Sequence, residues 1–147
     1  MNQATEEEID LDFQVSEEDW SKYKVEDNTV ISFRINVAKI FRSKKTGETG
    51  YPIFGIAAKN LVSAIVPEEL KGEPSGEPLK LPEDLDKELD FEPIDVKWQK
   101  YLTKEYVITL KPNVLKIFRT KKYNDRREPI YYISSGQPIF NVKKRKD

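Results

Sequence analysis

Ten residues occur twice in this chain, as Asn36-Val-Ala-Lys-Ile-Phe-Arg-Ser-Lys-Lys45 and as Asn113-Val-Leu-Lys-Ile-Phe-Arg-Thr-Lys-Lys122. Eight of the ten positions are identical, and the differences, Ala38 against Leu115 and Ser43 against Thr120, are mild. Around this stretch, residues 29 to 56 match 106 to 133 at thirteen of twenty-eight positions, at an offset of 77. Upstream the offset is 78: Leu11-Asp-Phe13 recurs as Leu89-Asp-Phe91, and Trp20-Ser-Lys-Tyr23 as Trp98-Gln-Lys-Tyr101. The change of offset places a one-residue deletion between Tyr101 and Val107, in an expected turn. Solenoid repeats run about 20 to 50 residues, so a period this long indicates a duplicated domain or half-domain.

The repeat divides the chain. An acidic arm over 1–10 precedes a first β-module over 11–66. An acidic linker over 67–86, with four of the nine prolines, leads to a second β-module over 87–143 and a basic tail over 144–147. A structured repeat of about 55 residues is near the lower limit for folding alone. Two copies packed on one another, or interlocked, are therefore expected rather than independent beads.

Within each copy the pattern is β. Thr29 to Ile35 alternates with Ile31, Phe33 and Ile35 on one face. The second copy has Pro112 in place of Ile35, which marks an edge, a bulge or a strand break because proline donates nothing to a ladder. Asn36 and Asn113 follow at a bulge or corner that suits left-handed geometry. Ser16-Glu-Glu-Asp19 has the form of a capping box and predicts one helical turn. Ile40, Phe41, Ile117 and Phe118 read as core, and Trp20 and Trp98 as core or inter-module residues. Five short strands per copy predict an all-β fold, a small SH3- or OB-type barrel per copy, or one barrel of two interlocked half-repeats.

Function is less explicit. With no cysteine and no histidine, the chain has no disulfide framework, no thiolate nucleophile and none of the usual general bases or zinc ligands. It carries no P-loop or dinucleotide fingerprint. No cofactor is expected, and the reading is non-enzymatic. No apolar run approaches the roughly 18 residues of a membrane span, and the first residues lack a signal peptide's features. A cytoplasmic protein is expected, although a virion component would read alike.

The net charge of −1 conceals segregation. Residues 1–19 hold eight acids and no base, and 67–90 carry −6, while 20–66 carry +5 and 91–147 carry +8. The repeated strand begins apolar and ends cationic, as a basic hairpin does when it leaves a core. Lys39, Arg42, Lys44 and Lys45 on the first hairpin, and Lys116, Arg119, Lys121, Lys122, Tyr123, Arg126 and Arg127 on the second, lie among aromatic residues. Cations that track phosphates beside stacking rings are what single-strand binding requires. Nucleic acid, single-stranded DNA or RNA first, or a ribonucleoprotein is the expected partner. The alternative is a protein-interaction or structural module: an adaptor, a subunit of an assembly or a virion component, docking through exposed strand edges and segregated charge.

Overall fold

A computed structural model of the chain describes residues 8–46, 50 and 52–146. Most of the expected acidic arm, the tip of the first hairpin, and the Lys45 side chain lie outside the described residues. The fold is all-β, and no helix among the described residues is long and apolar enough to cross a membrane.

Each copy is built on a hairpin. In the first, β4 (Val30–Thr46) pairs antiparallel with β5 (Pro52–Ile65) along nearly its whole length. Ile31, Phe33, Ile35 and Val37 point into the core from alternate positions, as the period of two requires. In the second copy the same strand is cut in two, β9 (Tyr106–Lys111) and β10 (Val114–Tyr123), with Pro112 in the gap. The return strand divides likewise into β11 (Pro129–Ser135) and β12 (Ile139–Lys144). Where Pro112 has no N–H, its counterpart Ile35 has one, and the buried Gln99 side chain accepts it at 3.0 Å.

Both hairpins carry a bulge at the same place. The register skips Ala38 between Val37 and Lys39, and Leu115 between Val114 and Lys116. The asparagines expected to turn left-handed there do not. Positive φ among non-glycine residues falls on Asn28 and Arg127 instead, both in turns. Omitting one residue from the ladder achieves the bend without αL geometry.

The first strand before each hairpin pairs within its own copy. β1 (Glu8–Leu11) pairs with β4, setting Leu11 opposite Ile40, and β6 (Leu85–Leu89) pairs with β10, setting Leu89 opposite Ile117. The next strands cross over. β2 (Gln14–Glu17) pairs with β8 (Gln99–Leu102) of the second copy, and β7 (Phe91–Asp95) pairs with β3 (Ser21–Val25) of the first. Val15 faces Tyr101, and Pro93 faces Tyr23. The helical turn expected from residue 16 is therefore absent: Ser16 and Glu17 lie in β2, where a ladder with the other copy satisfies the backbone.

Three sheets result: β1-β4-β3-β7 with β5 on β4, β11-β10-β6, and β12-β9-β8-β2. None closes into a barrel, which departs from the SH3 or OB expectation. The break at Pro112 divides the second hairpin between two sheets, and the crossing strands link the copies without closing a ring. The buried side chains nonetheless form one cluster, with Phe33, Ile40 and Tyr23 from the first copy against Tyr101, Ile108 and Ile117 from the second. The hydrophobic core is shared.

The acidic segment after β5 is not a free spacer. It forms a 3-10 turn at Glu68–Leu70 and then runs along the second hairpin. Gly72 donates its amide to the Arg127 carbonyl at 2.9 Å, and Ser75 donates to that of Tyr123 at 3.1 Å. A Cβ on Gly72 would stand 2.9 Å from the Tyr123 ring, so this approach needs glycine. The basic tail is also anchored. Lys143 and Lys144 belong to β12, and the Arg145 amide donates to the Glu105 carbonyl at 2.7 Å.

Candidate nucleic-acid interface

The hairpin cations do not gather on one open surface. On the first hairpin, Lys39 is paired with Asp10 at 3.0 Å and Arg42 donates to the Ser43 carbonyl at 2.9 Å, leaving Lys44 exposed. On the second, Lys116 lies 3.9 Å from Glu88, Arg119 3.3 Å from Asp27 and Lys122 2.9 Å from Glu77. The Glu77 hydrogen bond holds the Lys122 ammonium above the ordinary lysine range. Tyr123 is packed on the acidic segment, its amide donating to Ser75 Oγ at 2.8 Å, and Arg127 Nε donates to the Gly72 carbonyl at 3.3 Å. Lys121 and Arg126 are exposed without an ion pair among the described residues. Ile40 and Ile117 are buried as expected, whereas Phe41 and Phe118 are half-buried outside the core. Phe41 lies over Gly55, and the Phe118 ring stands 6.2 Å from that of Tyr132.

The tryptophans, expected in the core or between the modules, are at the surface. Trp20 is half-buried beneath the Arg34 guanidinium, 4.8 Å from the ring centroid. Trp98 is 42% exposed, with Lys111 Nζ 5.1 Å from its centroid. Trp98 borders an open groove of about 610 Å³ on the outer face of β12-β9-β8. The ladder builds that groove in rows: Lys100 faces Thr109, Thr109 faces Asn141, and Val107 faces Lys143. Lys144 and Lys146 close its end. None of these four lysines forms an ion pair among the described residues. Glu17 stands opposite Lys100 in the register and does not reach ion-pair distance.

The corresponding face of the first copy has the same ladder and different chemistry. Lys22 faces Ser32, Ser32 faces Ser63, and Val30 faces Ile65. Ile65, 72% exposed, stands where the second copy has Lys143. Asp95 faces Lys22 and is itself paired with Lys97 at 3.3 Å. One face is close to neutral and the other cationic. The sequence signal for the cationic face was the pair Trp98 and Lys100 together with Lys143–Lys146. Only the β9–β12 register brings those segments side by side.

Two buried polar networks hold the copies together. Gln99 Nε2 donates to the Ile35 carbonyl and to Tyr101, both at 2.6 Å, and Tyr101 donates to Glu18 at 2.7 Å. Tyr131 donates to Asp27 at 2.7 Å, and Thr29 Oγ1 lies 2.8 Å from the same phenol. Burial, then the Glu18 hydrogen bond, pushes the Tyr101 phenol well above its ordinary range. Burial and the Asp27 carboxylate do the same for Tyr131. No group of three acidic side chains among the described residues is arranged to hold a metal ion.

Compared with family models, curated protein sequences and solved structures, the chain gives no match.

Proposed function

We propose that the protein is a non-catalytic binding protein whose ligand is nucleic acid, held on the outer face of the β12-β9-β8 sheet. One observation carries this reading. Lys100, Lys143, Lys144 and Lys146 surround a groove without a carboxylate partner among the described residues, while Lys39, Lys116, Arg119 and Lys122 of the hairpins already have one. A cation engaged by a carboxylate gains little from a phosphate, because it must give up one anion to take another. Unpaired lysines instead release condensed counterions from the polyanion, the dominant source of non-specific affinity. The hairpins then act as supports, with Lys121 and Arg126 as outlying contacts.

Fluorescence anisotropy with labelled DNA and RNA over a range of salt tests this. Log affinity should fall linearly with log salt, at about −0.7 to −0.9 per phosphate contacted. Lys143→Glu with Lys146→Glu should flatten the slope, and Lys39→Glu with Lys116→Glu should not. Absence of binding to any nucleic acid at low salt would overturn the proposal. Partner search would then move to β5, which among the described residues pairs only with β4 and carries the exposed Ile53 and Ile65, features suited to adding a strand from another protein.

A further inference from the structure

We infer that Trp98 is a stacking platform for an unpaired base, so that the ligand of this face is single-stranded nucleic acid. The inference rests on the reading just given and specifies its ligand.

Indole is the side chain with most to gain from burial, yet Trp98 is 42% exposed at the margin of a groove. Its ring is not idle. Lys111 Nζ lies 5.1 Å from the centroid, a cation–π distance, so the ring sits beside positive charge on a surface that already favours anions. Thr109 and Asn141 line the same groove and face each other across the ladder. They offer a hydroxyl and an amide, which can pair with the edge of a planar base. Lys100 and Lys143 stand on β8 and β12, strands two interstrand spacings or about 10 Å apart, with Lys143 two residues further along the ladder. Phosphates on either side of a stacked base thus find cations at both margins.

A duplex cannot use this arrangement. Its bases stack on one another and present only their edges in the grooves, whereas an unpaired base has a free face. Stacking on an aromatic ring tolerates any base, so the site is expected to be weakly sequence-selective. The first copy provides an internal comparison. Trp20 is half-buried, and the ladder places Ile65 where the second copy has Lys143 beside Trp98. The same ladder therefore presents one platform prepared for a polyanion and one that is not.

The test uses intrinsic fluorescence of the full chain. In a Trp20→Phe background, Trp98 is the sole indole, and its emission is followed while single-stranded oligothymidylate, a duplex of equal length and inorganic polyphosphate are added. Stacking predicts saturable quenching by oligothymidylate only, with polyphosphate competing for the site without quenching. Separately, Trp98→Ala in the natural background should weaken oligothymidylate binding about 10-fold or more, the effect of losing one stacked base. Trp98→Phe should recover most of it. Matching circular dichroism spectra establish that each variant folds.

Oligothymidylate binding with unchanged emission, together with a neutral Trp98→Ala, would overturn the stacking platform and leave the polyanion reading intact. Equal quenching by duplex and single strand would overturn the single-strand assignment. If neither nucleic acid nor polyphosphate binds, the underlying reading fails as well.

Discussion

Tyr131 in the second copy donates a 2.7 Å hydrogen bond to the Asp27 carboxylate in the first, joining residues more than a hundred positions apart. Arg119 approaches the same carboxylate oxygen at 3.3 Å, and the Thr29 amide donates to the other oxygen at 3.0 Å. The Asp27 side chain is only 8% exposed, so its charge depends on these partners. At the equivalent position of the other copy, Phe54 and Tyr106 meet edge to face with centroids 4.9 Å apart. Two reciprocal contacts thus tie the halves, one polar and one aromatic.

Tyr131→Phe removes the phenol and leaves Asp27 with Arg119 and the Thr29 amide. A hydrogen bond to a charged group contributes roughly 1.5–3 kcal/mol, so urea unfolding should show a loss in that range with an unchanged m-value. A loss below about 0.5 kcal/mol would mean that Arg119 and the Thr29 amide satisfy the carboxylate without the phenol.

Gln99 is a second joint. Its amide satisfies both the N–H and the C=O of Ile35, a residue whose counterpart is Pro112. Gln99→Leu keeps the volume and orphans two buried backbone groups, each worth about 1–3 kcal/mol. The expected cost is at least about 2 kcal/mol by the same measurement, larger than for Tyr131→Phe.

The acidic segment should be held by close packing more than by charge. Glu77→Gln removes an ion pair whose carboxylate side chain is 74% exposed, and surface pairs contribute about 0–1 kcal/mol. Gly72→Ala instead drives a methyl group into the Tyr123 ring, 2.9 Å away. Thermal melts should show the glycine substitution to be the more damaging. Ser75→Ala should speed hydrogen exchange at the Tyr123 amide, which Ser75 Oγ accepts at 2.8 Å.

Alkaline pH should weaken the fold. The phenols of Tyr101 and Tyr131 are raised above their ordinary value of 10.0. Below pH 10 both states keep the proton and stability is complete. Above it the unfolded chain ionises first, so stability falls as pH rises, by up to about 1.4 kcal/mol per pH unit for each tyrosine. Tyr101→Phe should reduce this slope. A curve that stays level above pH 10 would contradict the burial of both phenols.

Much of the local structure was readable from residues. The alternation of Ile31, Phe33 and Ile35 gave the buried face, and Pro112 marked the strand break. The candidate site was much less legible. Lys39, Lys116, Arg119 and Lys122 looked like free cations because their carboxylate partners lie 28 to 92 residues away in the chain. Trp98 looked like a core or inter-module residue because large rings usually are. Lys144 looked like part of a tail because nothing near it in sequence indicates pairing with β9.

The amino-acid order by itself determined the repeated pattern, the β character of each copy, the break at Pro112 and the residues able to form a core. These follow from local sterics and from the period-two burial of apolar side chains, which a strand carries in its own residues. Tertiary structure alone decided that β2 and β7 cross between the copies, that the sheets stay open, and which lysines remain unpaired around Trp98. A strand's own pattern states which face it buries and not whose backbone it will pair with. β2 is exposed throughout and has no alternation to direct it. Its partner is chosen by the shared core that forms when both hairpins come together.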